Sequence, residues 1–413
     1  MLLTRPNGTL YGDYTDFLLF LPDITMTASI LAWGLSQWRR GAPLRLGPVF
    51  VWLPLAGLTL TGWISIFNSV DKALSSYHAV RLGMLFLFYL YVVNAKISIF
   101  EIGFAVAVQG ALQAIVAVPQ SILQRSIGLQ ILGEYVLDPQ QAGVSIVTDG
   151  MHRFLRAYGL ADHPNILGGC LAFGLVVLFA MSLNSETKFL WKAGVPFAWM
   201  AVALLLTFSR AAWLAFLAGA GLSVVTEAWI GRGKNRSPAV WLALGTTIVL
   251  LPFAAMNKEY LGARLNVGGS FENIPAERQS AGGRAFLNES ANRIFVEHPL
   301  TGVGLGASPV AMKNEYPAFP TDYQPPHFTL LAVAMETGIF GATFYFLLMT
   351  LPWLVLLRRR RLWADLRLIG AAGLLLAVMV VGFFDYYTWL STPGRMWQWL
   401  AWGMFAAAVE ASQ

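Results

Sequence analysis

Long apolar stretches alternate with short polar ones along this chain, at a spacing set by a bilayer rather than by a soluble core. A helix needs about 20 largely apolar residues to cross a bilayer. Eleven stretches meet that need, at 17–37, 48–69, 77–94, 98–119, 163–183, 189–207, 210–230, 238–256, 327–356, 366–385 and 393–410. The first carries Asp23, and the ninth is long enough to tilt or to project from the bilayer. Two longer polar intervals, 120–162 and 257–326, interrupt the series. The pattern predicts an all-α polytopic membrane protein with a single integral-membrane domain over 1–413. It makes 120–162 an interfacial extracytoplasmic segment and 257–326 a large extracytoplasmic loop, long enough for a small folded subdomain.

Composition agrees. The 413 residues are 56% hydrophobic and 12% charged, with a mean hydropathy of +0.58, whereas soluble chains carry about 25% charged residues. The opening MLLTRPNGTLYGDYTD lacks an uninterrupted apolar core, so no cleavable signal peptide is expected. The one cysteine, Cys170, lies in an apolar stretch and reads as a small packing residue; it excludes a disulfide framework within the chain. The net charge of +6 points to topology and anionic lipid rather than to nucleic acid. No repeat of 20–50 residues is visible.

Charge placement sets the orientation. Half of the 28 Lys and Arg residues fall in five short loops: Arg39, Arg40 and Arg45; Lys96; Lys188 and Lys192; Arg232, Lys234 and Arg236; and Arg358 to Arg361 with Arg367. Density in short loops marks the cytoplasmic side. The N-terminus then faces outward and the C-terminus inward, in keeping with an odd number of spans. Both long intervals, the corner Phe208-Ser209-Arg210 and the corner from Asp385 to Arg395 collect on the outer face.

The outer segments have internal pattern. Segment 120–162 opens with an amphipathic run, Ser121 to Leu137, expected along the interface. It closes with RFLRAYGLADHPNILGG, where Arg153, Arg156, Asp162, His163 and Asn165 crowd the start of the fifth span and Pro164 marks a helix start. In the large loop, Arg284 to Phe295 reads as an amphipathic helix with Ala285, Phe286, Ala291, Ile294 and Phe295 on or near one face. The following GVGLG lacks the GK[ST] ending of a P-loop and opens no βαβ unit, so it reads as a close backbone turn beside the membrane.

Candidate chemistry follows from that one-sided gathering. Arg153, Arg156, Arg210 and Arg284 share the outer face with His327. Arg210 lies between AVALLLTFS and AAWLAFLAGA with no acidic residue nearby in sequence. Near lipid it needs a partner, water, or a route to snorkel to the interface. Guanidinium forks suit phosphate, and two or three around an outward-facing cleft would hold a diphosphate whose lipid tail lies between spans. His327 follows Pro325-Pro326 and so stands at a helix N-terminus. There a neutral imidazole can take a proton from an attacking hydroxyl, or simply cap the helix. Asp385, in FFDYYTW, is placed to pair with an arginine, to orient His327, or to sit in an aromatic belt with Tyr386, Tyr387 and Trp389. His163 and His298 precede proline and read as turn or helix-start residues, and His78 and His152 carry no signal. No metal site is expected, because no histidine pairs with a carboxylate at i, i+4. Glu336, nine positions after His327, falls on a different helix face and reads as a packing or polar contact inside the bundle.

HPLTGVGLG, then a variable loop, then PPHFTLLAVAMETGIFG, resembles the signature of the O-antigen ligase and polymerase superfamily. RAYGLADHPNILGG, TFSRAAWLAF and the corner Asp385-Tyr386-Tyr387-Thr388-Trp389 are similar to that family too, so the likeness covers most of the chain from Arg153 onward. The resemblance implies a cofactor- and metal-independent, GT-C-like membrane glycosyltransferase of the bacterial inner membrane, with its active site on the periplasmic face. Such enzymes take a glycan from a polyprenyl (undecaprenyl) diphosphate carrier to a hydroxyl on a glycan or glycolipid acceptor. In the ligases the acceptor is lipid A-core; in the polymerases it is another carrier-linked repeat unit. The family's essential arginines match Arg210 and Arg284 and its histidine matches His327, which are the expected catalytic residues. Arg156, Arg153 and Asp385 are expected to bind diphosphate or glycan. Two departures stand out: relatives often carry His-Asn where this chain has His327-Phe328, and they commonly have twelve spans where eleven are counted here. The rival reading is a transporter for a lipid-linked or anionic solute. It would place polar residues at the bilayer midplane and broken helices in two related halves, neither of which the sequence displays.

Overall fold

A computed structural model describes residues 2–3, 15–95, 97–183, 188–230, 237–267, 274–317 and 323–412. The helices are α1 (Leu21–Arg40), α2 (Val49–Ile64), α3 (Lys72–Asn94), α4 (Ile99–Leu123), α5 (Pro164–Ser182), α6 (Lys188–Leu206), α7 (Arg210–Ile230), α8 (Ser237–Met256), α9 (Lys258–Arg264), α10 (Pro275–Glu297), α11 (Ser308–Glu315), α12 (Thr329–Arg358), α13 (Leu366–Phe384), α14 (Tyr387–Leu390) and α15 (Thr392–Ala411). Two short antiparallel pairs join them: β1 (Leu2–Leu3) with β2 (Phe17–Leu18), and β3 (Ile146–Thr148) with β4 (Arg153–Leu155).

A helix lies on each of the eleven predicted stretches. Eight are long and apolar enough to cross a membrane: α2 with the turn after it, α3, α4, α5, α7, α8, α12 and α13. The other three fall short for local reasons. Helix α1 carries Asp23 in its first turn and Arg39-Arg40 in its last. Helix α6 holds the apolar stretch Ala193–Leu206 and opens with Lys188 and Lys192. Helix α15 contains Arg395, Gln398 and Glu410. The class is an all-α polytopic membrane protein, with eight candidate spans by length and apolarity among the described residues. Lys96, Arg232, Lys234 and Arg236, on which part of the predicted orientation rests, lie outside the described residues, as do 268–273 and 318–322 of the large loop.

The chain forms two compact units. The first comprises Met1–Lys96, Gly283–Leu362 and Gly382–Gln413; the second comprises Ile97–Gly282 and Trp363–Val381.

In the first unit α2 packs on α3 and α12, and α3 packs also on α1 and α15. Leu55, Leu58, Leu74, Leu82 and Tyr89 are fully buried there. Arg81, near the middle of α3, ties it to the first turns of α1 and α15. Its Nη2 donates to Asp23 Oδ1 and Oδ2 at 2.7 and 2.8 Å, and to the Thr392 hydroxyl. At the opposite ends of α3 and α15, the Arg45 N–H donates to Asn94 at 3.0 Å and the Arg45 guanidinium lies 3.8 Å from Glu410. Helices α3 and α15 therefore run in the same direction.

Helix α12 is two helices joined at Gly338, whose φ of 71° and ψ of −170° interrupt the ladder. The break leaves the carbonyls of Met335 and Glu336 free of helical partners. They accept the N–H groups of Val303 and Gly304 at 2.9 and 3.1 Å, while the Ile339 N–H donates to Pro299 at 2.8 Å. This is the docking role of GVGLG. Gly302 (φ 67°), Gly304 (φ 104°) and Gly306 (φ 73°) all adopt left-handed backbone, and a Cβ at each would overlap Glu336, Ser69 and the His78 ring respectively. Glycine alone meets both demands. The Glu336 side chain lies inside the same joint, where it accepts the Ser308 hydroxyl at 2.7 Å and the Trp389 indole N–H at 2.8 Å.

The predicted amphipathic helix of the large loop exists and is longer, running over α10. Its buried face is Leu287, Ser290, Ala291 and Ile294, packed on Val303, Ala311, Met312 and Met335. Ala285 and Phe286 face outward instead, because the i, i+3, i+4, i+7 stripe is centred on Leu287.

In the second unit α5 is almost wholly buried by α4, α6 and α7, as its uninterrupted apolar sequence requires. Helix α7 meets α13 at Gly219, where a Cβ would press on the Gly373 carbonyl; small residues let the two backbones approach. Ser98 and Glu101 form a capping box that starts α4, worth about 0.5–2 kcal/mol. The run Ser121–Leu137 is not one continuous helix. Helix α4 stops at Leu123, Gln124 turns left-handed (φ 55°), and the chain folds back. The Glu134 carboxylate holds this reversal, accepting the N–H groups of Ile127 (2.7 Å) and Leu129 (2.5 Å) and the Gln120 amide (2.8 Å). Burial alone would raise the pKa of Glu134, but these bonds outweigh it and keep the group below the ordinary carboxylate value. Side-chain capture of backbone donors competes with helix here.

The joint at Gly338 gives the first prediction. Gly338→Ala forces a left-handed residue and meets the Leu300 carbonyl, which costs about 1–3 kcal/mol in backbone strain. The apparent melting temperature in detergent should fall, whereas Gly245→Ala, with open space around it, should leave it unchanged.

Candidate functional site

His327 immediately precedes Phe328, the N-cap of α12. Its side chain is 12% exposed, and that of Asp385 is 6% exposed. Nδ1 of His327 lies 3.6 Å from Asp385 Oδ1, an ion-pair distance longer than a hydrogen bond. That nitrogen is buried with no hydrogen-bond partner. The Tyr386 ring meets the imidazole edge-on at 5.0 Å. The carboxylate is itself fixed: Asp385 Oδ1 accepts the Tyr386 N–H at 2.9 Å, and the Asp385 carbonyl accepts the Thr329 hydroxyl at 2.8 Å. Asp385 thus faces the histidine. Phe328, where relatives often carry an amide, stacks on Phe383 with centroids 5.9 Å apart. Apolar packing replaces whatever hydrogen bond an amide would make, and the N-cap has no side-chain bond. Arg284, in the same unit, is half-buried on α10.

The second unit holds the other arginines around the α6–α7 corner. Phe208 turns left-handed there (φ 49°). Arg156 is 5% exposed; it donates through Nε to the Thr207 carbonyl at 2.6 Å and through Nη2 to Asn165 Oδ1 at 2.6 Å. Arg264, 7% exposed, donates to the Phe208 carbonyl at 3.1 Å, and Arg210 donates to the Arg264 carbonyl at 3.2 Å. Three guanidinium groups therefore surround one turn. Arg264, the last residue of α9, was not singled out from sequence; its signal was seven residues of helix ending in a cation beside an apolar span. Arg153 is exposed on β4 and donates to the Pro139 carbonyl at 2.6 Å.

The histidines sort as their neighbours suggested, save one. His163 caps α5: its Nδ1 accepts the Asn165 N–H at 3.1 Å, and its Nε2 lies 2.9 Å from the Ser145 hydroxyl. His152 pairs with Asp149 at 3.1 Å on the β3–β4 turn. The backbone N–H groups of His152 and Met151 hold Asp149 down to about 2. His78 is the exception. It is buried, and its Nδ1 lies 3.2 Å from Nη1 of Arg395, which is 2% exposed. No group of three or more His, Cys, Asp or Glu side chains able to hold a metal occurs among the described residues.

The structure thus brings His327 and Asp385 together in one unit, and Arg156, Arg210 and Arg264 together in the other. Residues 195–346 match the family model described as O-Antigen ligase. Arg210, Arg264, Arg284, His327 and the Gly338 joint fall inside that range; Arg153, Arg156 and Asp385 fall outside it. No curated protein matches the chain.

The corner predicts a division between holding and acting. Arg156→Ala removes two short charged hydrogen bonds from a buried turn, a loss of about 2–3 kcal/mol or more, and should lower the melting temperature. Arg210→Ala, at a half-buried position, should lower it much less. Equal melting temperatures for the two variants would contradict this division.

Proposed function

Because the chain belongs to the O-antigen ligase/polymerase superfamily, ligase-like glycosyltransferases in general terms, we propose that it moves a glycan from a polyprenyl diphosphate carrier to a hydroxyl acceptor, with inversion. The acceptor is a glycan or glycolipid, and the reaction runs at the outer face of the bacterial inner membrane.

The observation that carries this reading is the imidazole of His327 facing the Asp385 carboxylate at a helix N-terminus. A carboxylate beside Nδ1 favours the tautomer with its proton on Nδ1, which leaves Nε2 as the acceptor. Nε2 takes the proton of the acceptor hydroxyl while that oxygen attacks the anomeric carbon. The bond from the anomeric carbon to the phosphate oxygen breaks on the opposite face, and the carrier leaves as its diphosphate. The 3.6 Å separation suits a pair that tightens when substrate binds. The leaving diphosphate is anionic and suits a guanidinium: Arg284, in the unit of His327, neutralises it, and the family resemblance alone adds Arg210, whose turn Arg156 and Arg264 hold. Diphosphate is already a good leaving group, so charge neutralisation and positioning supply most of the rate. No step in this scheme calls on a metal ion.

Transfer from a carrier-linked glycan by purified protein tests the reading. His327→Ala should lower kcat/KM by about 10²–10⁴, the usual range for a general base. Asp385→Asn should lower it less, and Arg210→Ala and Arg284→Ala should each lower it with a rise in KM for the donor. Melting temperatures of the His327 and Arg210 variants should stay near wild type. Wild-type rates in both of those variants would overturn the proposal.

A further inference from the structure

The reversal after α4 has a surface that the proposed chemistry does not use. From Ile127 to Val136 the chain is held close to the last turn of α4, because Glu134 bonds to Gln120 at one side and to the Ile127 and Leu129 N–H groups at the other. The Ser126 N–H also donates to the Leu137 carbonyl at 3.3 Å, which closes the loop. With its polar groups turned inward, the loop turns its apolar ones outward. Ile131 is 99% exposed, Leu132 63% and Val136 65%.

These side chains continue a surface that already faces lipid. Helix α4 qualifies as a span, and Phe104, Val108, Leu112, Ile115 and Ile122 are exposed along one stripe of it. That stripe ends at Leu123, and the reversal begins at the next residue. A loop tethered one turn from the end of a span cannot leave the interfacial layer. Exposed Ile and Leu there have a favourable place to go in the headgroup–acyl boundary, with exposed Arg125 at hand for lipid phosphate.

We propose that the reversal after α4 is a lipid anchor, with Ile131 and Leu132 inserted into the leaflet at that end of the helix. The anchor has a fixed relation to the arginine corner of the same unit. The Ser121 hydroxyl donates to the Leu155 carbonyl at 3.1 Å, the Leu155 N–H donates to Gln124 at 2.7 Å, and Gln120 exchanges hydrogen bonds with Gly159 at 2.8 and 3.0 Å. The strand and turn on either side of Arg156 are thereby bolted to the anchor, which sets the height of Arg156 and the Thr207 turn above the acyl chains. The insertion itself does not depend on the proposed glycosyl transfer.

Exposure alone does not mark an anchor. Met151 is 86% exposed, but it sits between Asp149 and His152 on the β3–β4 turn, where insertion would bury a charged carboxylate. It serves as the internal control. The chain's one cysteine, Cys170, is buried, so Ile131→Cys, Leu132→Cys and Met151→Cys can each carry a single environment-sensitive NBD label. The full-length protein is placed in phosphatidylethanolamine–phosphatidylglycerol bilayers. Labels at 131 and 132 should emit to the blue and be quenched by lipid bearing a shallow nitroxide, while the label at 151 should be quenched by aqueous iodide instead. Iodide quenching at 131 and 132 equal to that at 151 would overturn the proposal. A blue shift without quenching by lipid nitroxide would overturn it as well, since it would mean that protein, from a second copy, covers the loop.

Discussion

Main-chain hydrogen bonding across the break in α12 is the constraint on which the first unit depends. A span interrupted inside a bilayer exposes carbonyls that lipid cannot satisfy. Here Met335 and Glu336 give theirs to Val303 and Gly304. Each such group left unpaired would cost about 1–3 kcal/mol. The glycines at 302, 304 and 306 are required because three consecutive close approaches, to α12, to Ser69 and to His78, leave no room for side chains. The result is a rigid joint between the loop that follows α10 and the helix that begins beside His327. Arg284 lies on α10 and His327 at the start of α12, so one joint bears on the placement of both.

Electrostatics completes the picture within that unit. Arg395 is buried against the Trp389 ring, with its guanidinium carbon 5.5 Å from the centroid, and donates to the Trp389 carbonyl. Trp389 in turn donates to Glu336, which holds Ser308 at the foot of the docked loop. Arg81 and Asp23 form a part-buried ion pair on α3 and α1. Removing one member of such a pair strands the other charge, which is far more costly than the pair is stabilising. The polar interior of the unit therefore specifies one arrangement of helices where apolar packing alone would admit several. The Asp385 corner, between α13 and α14, is seated on this same framework through Thr329.

Much of this was legible in the sequence because bilayer periodicity is a strong signal. Each of the eleven apolar stretches holds a helix, and proline placed the starts of α5 and α12 to within a few residues. The glycine run was read as a close turn, and Glu336 as a buried polar contact; both hold, although the helix break that unites them left no mark beyond Gly338 itself. The reading was silent where side chains compete with backbone periodicity. Glu134 converts an amphipathic run into a reversal, and no pattern of apolar spacing encodes a carboxylate that captures two N–H groups. His78 and Arg395 looked unremarkable because they are 317 residues apart in sequence and meet only through packing. Asp385 was open between arginine and histidine partners, since sequence distance carries no information on which helix ends adjoin.

The account turns on Asp385 holding His327 so that one ring nitrogen is free to act. Nitrogen-15 NMR of the protein with labelled histidine reads this directly, with the His327 signals identified by their loss in His327→Gln. The account predicts that neutral His327 carries its proton on Nδ1, with Nε2 bare, and that Asp385→Asn abolishes this preference. A proton on Nε2 in the wild-type protein, unchanged by Asp385→Asn, would contradict it.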